Sequence, residues 1–397
     1  MRVIWTLLLL GLAAFEIAGV YFIMPLPGSQ RMRSLPLAYA LYQSRWLVRL
    51  GLGAALAALT LPVLRRRGRF RFVMPVLAVA VGAVVWFVNF RMAADQIFRQ
   101  PTVLTMATAA ENRVALDRLV VGIEINGEAR AYPLQFIGYH HQVRDSVGGQ
   151  PVLVSYCTVC RTGRVFTPIV QGELETFRLV GMDHFNAMLE DVRTGSWWRQ
   201  ANGEAVAGPR RGTVLPEVPS RQVTLAMWLS LYPHSRVMQG DPTFDAQYAK
   251  DYAYERGTST SRLTGTDRRP WQDKSWVVGL TVDGKSRAYD WQQLVAQRAL
   301  NDTLGGLPVV LVLASDRTSF FAFVRPSPAT RFTMQGDSLA TDGLRYALNG
   351  RSAAGTLTPL KASQEFWHSW RTFQPNTDRY LADSPAATTA AAGAPAT

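Results

Sequence analysis

The residues best equipped for chemistry are Cys157 and Cys160, which stand three positions apart and are the only cysteines among 397 residues. Two cysteines are too few for a disulfide framework. Two thiolates at this spacing can chelate one soft ion, and imidazole can complete the set, which favours copper or zinc as the cofactor. The candidate partners are the histidines and the methionine near the pair in sequence: His140, His141, Met182 and His184.

The same pair permits three other kinds of chemistry. Cys157 and Cys160 could exchange thiols and disulfides, with the thiolate stabilised by Arg161 or a histidine. They could form a structural disulfide, which would stabilise only weakly because the closed loop is so short. A cysteine could also be a nucleophile aided by a histidine. The sequence leaves these alternatives open, and with them whether the protein is an enzyme.

An internal repeat shows which elements must position the cysteines. Residues 120–156 align without a gap to residues 277–313, with 13 identities in 37 positions. In each copy an alternating segment around Asn-Gly or Asp-Gly predicts a β-hairpin. A short helical segment, a Gly-Gly turn and a buried apolar strand follow, and Cys157 stands at the end of that strand in the first copy. The repeat therefore predicts an α+β unit with a mainly antiparallel sheet, used twice.

The two copies differ at the chemically equipped positions. His140 aligns with Gln297, Cys157 with Ala314 and Cys160 with Arg317, while the turn glycines and the hydrophobic pattern remain. A copy that keeps the fold but lacks soft or titratable ligands indicates that the first copy holds a site and the second supports it.

The N-terminal part contains three apolar stretches, at about residues 3–24, 46–64 and 72–90, each near the roughly 20 residues that cross a bilayer core. Residues 65–71 contain five arginines, which places this loop in the cytoplasm by the positive-inside rule. We therefore expect a multi-pass protein of the inner (plasma) membrane, with a cytoplasmic N-terminus and a large extracytoplasmic C-terminal domain.

These patterns divide the chain into five parts. Residues 1–95 form the transmembrane region, residues 113–240 the site-bearing first repeat, and residues 276–383 the degenerate second repeat. Residues 241–275 connect the repeats, as a linker across the sheet or a flap over the site. Residues 384–397 form a low-complexity tail expected to be disordered. The predicted fold class is α+β: a tandem duplicated, mainly antiparallel β-rich domain that follows three transmembrane helices.

The formal charge of +13 comes from scattered arginines and one block beside the membrane segments. Nucleic-acid binding would need a basic stripe with interleaved aromatic residues, and none is visible. The expected partner is membrane lipid, and the sequence identifies no protein partner.

Several ordered motifs resemble the domain-of-unknown-function 3179 family (DUF3179): GEARAYP, YHH, GGQPV, YCTVCRTG, SWWRQ and GEAVAGP, between residues 127 and 209. The resemblance covers about residues 113–380. The chain departs from the family pattern at His141, where the family often has Glu, at Arg161, which replaces a Gly, and at Thr158-Val159, which replace Pro-Leu. The resemblance implies the domain and adds no reaction.

Together these observations predict a membrane-anchored extracytoplasmic protein that binds copper or zinc. The predicted ligands are Cys157, Cys160 and His140, with His141, Met182 or His184 as additions.

Overall fold

The computed structural model describes residues 1–32, 34–66 and 68–381. It begins with three long helices, α1 (Arg2–Tyr21), α2 (Leu35–Arg65) and α3 (Phe70–Trp86), and α3 continues as a π-helix over Phe87–Arg91. All three are long and apolar enough to cross a membrane, as predicted. Helix α2 begins at Leu35 rather than near residue 46, so its first turns extend past the predicted span. The tail predicted to be disordered, residues 384–397, lies outside the described residues.

One polar cluster joins the three helices. The Arg49 guanidinium of α2 donates to both carboxylate oxygens of Glu16 in α1, at 2.7 and 2.8 Å. It also donates to Asn89 of the π-helix, at 2.7 Å, and the Asn89 amide donates to Glu16 at 2.8 Å. Because charged groups are costly in hydrocarbon unless paired, this cluster holds the helices in one arrangement.

The β-rich part starts with the first half of the duplicated pattern. Its first hairpin turns on Asn126 and Gly127, which both have positive φ (52° and 83°) as a type I′ turn requires. The elements are α4 (Ala94–Ile97), β1 (Met106–Ala107), β2 (Leu119–Ile125), β3 (Glu128–Pro133), α5 (Leu134–His140), β4 (Gln142–Val147), β5 (Gln150–Cys157), β6 (Thr162–Phe166), β7 (Ile169–Val170), β8 (Glu173–Leu174), β9 (Phe177–Asp183), β10 (Asn186–Asp191), β11 (Trp197–Arg199), β12 (Ala205–Ala207), β13 (Arg221–Thr224), α6 (Leu225–Leu231) and β14 (Arg236–Met238).

The second half follows after the connector. Its elements are β15 (Trp276–Val282), β16 (Lys285–Asp290), α7 (Trp291–Gln297), β17 (Ala299–Leu304), β18 (Leu307–Leu313), β19 (Phe320–Val324), β20 (Thr333–Gln335), β21 (Ser338–Thr341), β22 (Leu344–Ala347), β23 (Arg351–Ser352), β24 (Gly355–Thr356), β25 (Pro359–Leu360), β26 (Ala362–Phe366), α8 (Trp367–Phe373) and β27 (Asp378–Arg379).

The two halves use the same strand pairings. Strands β13-β2-β3-β14 lie side by side in the first half, and β26-β15-β16-β27 do so in the second. In each set only the last pair is parallel. Each half also has a second sheet, which is β4-β5-β6 in the first half and β17-β18-β19-β25 in the second. The fold is therefore α+β with mainly antiparallel sheets, as predicted, whereas the duplication and the domain boundaries stay interpretations.

Glycine and tryptophan pack in the same way in both halves. A Cβ added to Gly122 would lie 2.3 Å from the Trp228 ring, and one added to Gly279 would lie 2.1 Å from the Trp370 ring. Only glycine allows the helix tryptophan to lie flat on the strand at these positions. This contact explains why the Val-Val-Gly sequence occurs in both copies.

The halves share their largest hydrophobic core. Val121, Val154 and Tyr156 of the first half belong to the same buried cluster as Val310 and Phe323 of the second. A buried ion pair between Arg164 and Glu365 also joins the halves. Neither half therefore buries its apolar surface alone.

The β-rich part is fixed to the ends of the helices. Trp197 packs on Tyr39 and Tyr42 from the first turns of α2, with ring centroids 5.0 and 5.3 Å apart. The Tyr42 hydroxyl donates to Glu190 at 2.9 Å. The part of α2 that extends past the predicted span is thus a docking element for the β-rich part.

Candidate functional site

Cys157 is the last residue of β5, and Cys160 lies in the turn that leads to β6. Arg161 closes this turn with a φ of 57°, a conformation that favours glycine. Both sulfur-bearing side chains are fully buried. No disulfide joins the two cysteines, so the alternative of a structural disulfide is wrong.

Four hydrogen-bond donors act on the pKa of the Cys157 thiol, and the thiol itself donates to the Phe185 carbonyl oxygen. The four donors are the backbone N–H groups of Val159, Cys160 and Ala187 and the Cys160 thiol. Burial raises the pKa of the Cys157 thiol, but these hydrogen bonds outweigh burial, so the pKa lies below its ordinary value. Cys157 is therefore the member of the pair that ionises first.

Cys160 has the opposite character. Burial, the hydrogen bond to Cys157 and the negative charge on Cys157 all raise the pKa of the Cys160 thiol well above its ordinary value. Ser369 and the positive charge of Lys274 act in the other direction. Cys160 therefore keeps its proton and supplies a hydrogen bond.

The second half and the connector contribute a cation and an imidazole to this site. The Lys274 ammonium donates to the carbonyl oxygens of Val159 (2.7 Å) and Leu263 (2.6 Å) and lies 3.3 Å from His368 Nε2. His368 Nε2 is also 3.2 Å from the Val159 carbonyl oxygen. Burial lowers the pKa of Lys274, and the two cysteines raise it. Burial lowers the pKa of His368 to about 3, so its ring is neutral.

The predicted metal site is wrong. Across residues 1–32, 34–66 and 68–381, no group of three or more His, Cys, Asp or Glu side chains is placed to hold a metal ion. His140 makes both of its ring hydrogen bonds elsewhere, to the Arg99 carbonyl oxygen (2.5 Å) and the Tyr248 hydroxyl (2.8 Å). It lies in an aromatic cluster with Phe244 and Tyr248, because α5 turns it toward the connector.

The other predicted ligands also have separate partners. His141 Nδ1 hydrogen-bonds to the Tyr156 carbonyl oxygen at 2.8 Å, and its buried ring packs on Phe98. His184 pairs with Asp183, 2.6 Å away. Only Met182 shares the apolar cluster of Cys157 and Cys160. The predicted function of binding copper or zinc through these residues is therefore wrong for the described part of the chain.

A strained turn covers Cys157. His184 and Phe185 connect β9 and β10 with φ values of 51° and 66°, which are unfavourable for bulky residues. The Cys157 thiol donates to the Phe185 carbonyl oxygen, with 3.6 Å between the sulfur and the oxygen. The Phe185 N–H donates to Gln30 (3.1 Å), and the Met182 N–H donates to the Ile23 carbonyl oxygen (2.7 Å). The loop between α1 and α2 thus holds the turn against the thiol.

The connector is a second cover and is firmly anchored. The buried Arg118 guanidinium donates to Glu255 and to the carbonyl oxygens of residues 249–251. Arg161 donates to the carbonyl oxygens of Tyr254 and Glu255 and stacks on Trp276, 3.6 Å from the ring centroid. An open pocket of about 570 Å³ is lined by connector residues between 259 and 274, Lys274 among them.

Sequence reasoning missed three residues of the site: Lys274, His368 and Ser369. The repeat comparison treated the second half as inert, although its last helix carries two of them. A single histidine and lysine without a spacing pattern give no signal in the sequence. Only the packing of α8 and the connector on the cysteine turn brings them there.

Comparison with known proteins gives one match. Residues 98–377, more than half of the chain, match the model of a protein family described as "Protein of unknown function (DUF3179)". No curated protein and no solved structure matches the chain.

Proposed function

The chain belongs to the DUF3179 family, and we propose that it is a membrane-anchored enzyme in which Cys157 is a nucleophilic thiolate. The observation that carries the proposal is the set of hydrogen-bond donors that act on the Cys157 sulfur. Three backbone N–H groups and the Cys160 thiol face Cys157 in a dry environment. A neutral, structural thiol needs no such set of donors, whereas a thiolate does.

The connector supplies the positive charge. Lys274 acts electrostatically on both sulfurs, and its ammonium is held by two carbonyl oxygens of the surrounding loops. A thiolate formed at Cys157 is thus balanced by a cation without a direct ion pair. The aligned positions in the second half, Ala314 and Arg317, have neither sulfur, which supports a single site in the chain.

The reaction class that fits these groups is acyl transfer. The Cys157 sulfur attacks an acyl carbon, a carbon–sulfur bond forms, and the bond from that carbon to its leaving group breaks. The leaving group departs with the bonding electron pair and takes a proton from Lys274. Water then attacks the thioester, returns a proton to Lys274 and releases the acid, which restores the Cys157 thiolate.

The proposed location is the extracytoplasmic face of the inner membrane, in the periplasm. The five arginines of residues 65–71 favour a cytoplasmic loop. The Arg2 guanidinium donates to the Arg66 carbonyl oxygen, so the N-terminus lies at the same end of the helices. The β-rich part is docked at the opposite end, through Tyr39 and Tyr42. Membrane lipid surrounds the three helices in this arrangement.

Alkylation of the full-length protein tests the nucleophile. We expect iodoacetamide to modify Cys157 in the folded protein in detergent. The modification rate should rise with pH through a single ionisation whose pKa lies below that of a free thiol. Cys160 should react only after denaturation, because it keeps its proton. Peptide mass spectrometry separates the two sites, and Cys157→Ser is the matched control.

Two outcomes would contradict this proposal. Cys157 that reacts only at the rate of global unfolding would be a buried structural thiol. Rapid formation of a Cys157–Cys160 disulfide under mild oxidation, without alkylation of Cys157 in the reduced protein, would assign the pair a different chemistry.

A further inference from the structure

A groove of about 410 Å³ lies between α1 and α3, at the end of the helices that faces the β-rich part. Ile17 and Val20 of α1, Val84 of α3, and Val88 of the π-helix line it, with Leu26 and Met92 at the end nearest the β-rich part. All of its lining residues are apolar. Its depth in the helical region means that hydrocarbon rather than water fills it in a membrane.

The groove ends, along the chain, close to residues of the cluster that contains the cysteines. Ala94 belongs to the same buried cluster as Cys157 and Cys160, and Met24 packs against that cluster. Met92 and Leu26, at the end of the groove, are each two residues from Ala94 and Met24 along the chain. Two residues span at most about 7 Å. The end of the groove therefore lies within two residues of side chains that pack with the buried thiols.

The cover of Cys157 is attached to the same loop. Gln30 and Ile23, which flank Met24 and Leu26, hold Phe185 and Met182 of the β9–β10 hairpin. The turn that this loop holds is strained at His184 and Phe185, and strained turns are typical of elements that move in function. A change in the α1–α2 loop would thus be transmitted directly to the cover on the thiol.

We infer that the substrate is a membrane lipid whose hydrocarbon chain lies in the α1–α3 groove while its acyl carbon reaches Cys157. The inference rests on the proposed function for the reaction at the sulfur. The groove and its nearness along the chain to the cysteine cluster are independent of that reaction. A lipid would enter sideways from the bilayer and lift the His184–Phe185 turn.

Photocrosslinking tests lipid binding in the groove separately from the reaction at Cys157. The full-length Cys157→Ser protein in phosphatidylethanolamine–phosphatidylglycerol nanodiscs receives a phospholipid with a diazirine in one chain. We expect crosslinks to concentrate on groove residues and to fall at least fivefold in Ala83→Trp, which fills the groove. Val79→Trp is the matched control, because Val79 is on the same helix and 72% exposed. Ala83→Phe repeats the test with a smaller ring if the tryptophan variant unfolds.

Electrophiles of two lengths test the connection to Cys157. A long-chain iodoacetamide should modify Cys157 at least tenfold faster than iodoacetamide, and Ala83→Trp should abolish that preference while Val79→Trp keeps it. Crosslinks spread evenly over all lipid-facing residues, or equal rates for both electrophiles, would overturn the inference. If Cys157 reacts with neither reagent but the groove still captures lipid, the proposed nucleophile fails and the lipid site stands.

Discussion

Replacing Cys160 by alanine should raise the pKa of Cys157. The Cys160 thiol is one of the donors that hold the pKa of Cys157 down, and alanine removes this donor while the backbone N–H groups stay. A hydrogen bond to a charged group contributes about 1.5–3 kcal/mol, and a thiol is a weak donor, so the lower end applies. Since 1.36 kcal/mol corresponds to one pKa unit, we expect a rise of about one unit.

The rate effect follows from two opposing factors. At a pH below both pKa values, a rise of one unit lowers the thiolate fraction about tenfold. Each remaining thiolate is more nucleophilic, by about threefold, because reactivity increases with basicity with a Brønsted coefficient of about 0.4–0.5. The alkylation rate of Cys157 in Cys160→Ala should therefore fall about threefold to fourfold at low pH and exceed that of the unmodified protein at high pH.

The assay is the pH profile of iodoacetamide modification at Cys157, followed by peptide mass spectrometry. Cys160→Ser is the control, because its hydroxyl can still donate, and its profile should shift by less than half a unit, by about the difference between the two donors. Both variants need the same unfolding free energy within about 1 kcal/mol, so that opening of the site does not decide the rate. An unchanged or lowered pKa in Cys160→Ala would refute the donor role of Cys160.

Three further predictions concern the fold. Gly279→Ala should lower the free energy of unfolding by about 1–3 kcal/mol, measured by chemical denaturation, because its Cβ would lie 2.1 Å from the Trp370 ring. Glu365→Gln should cost about 3 kcal/mol in the same measurement, since it leaves the buried Arg164 charge without its main partner. Burial lowers the pKa of His141 to about 4, so the unfolded chain takes up a proton between pH 6.5 and 4 that the folded chain does not. The free energy of unfolding should therefore decrease as the pH is lowered across that window, by up to about 1.4 kcal/mol per pH unit from this group. His141→Gln should reduce the slope of the free energy of unfolding against pH.

The elements of the fold could be predicted because their signals are local. Asn126-Gly127 and the Gly148-Gly149 pair fix turns through backbone conformations that other residues adopt with strain. The apolar strands and the three long helices follow from hydrophobic runs. The start of α2 at Leu35 was missed because residues 35–45 mix apolar and polar side chains to dock on Trp197, a contact that no local pattern encodes.

The candidate site was only half predictable. The cysteine pair was found because its two members are neighbours in sequence. The metal prediction failed because a comparison of the two copies shows only that His140 stands where the second copy has Gln297. It does not show that α5 turns the His140 side chain toward Tyr248. Lys274 and His368 lie 115 and 209 residues from Val159, the residue they contact. Such pairings depend on how the connector and α8 pack, and residue types alone do not specify them.

The common core of the two halves also has a consequence for biosynthesis. A ribosome that has translated only the first half carries a chain whose Val121 and Tyr156 still lack Val310 and Phe323, the residues that cover them in the finished protein. The three N-terminal helices are complete by then, but this apolar face of the first half is still uncovered. Folding then requires contacts between residues nearly two hundred positions apart, which is slow. A chaperone that binds exposed apolar surface therefore has an extended period in which to bind this chain.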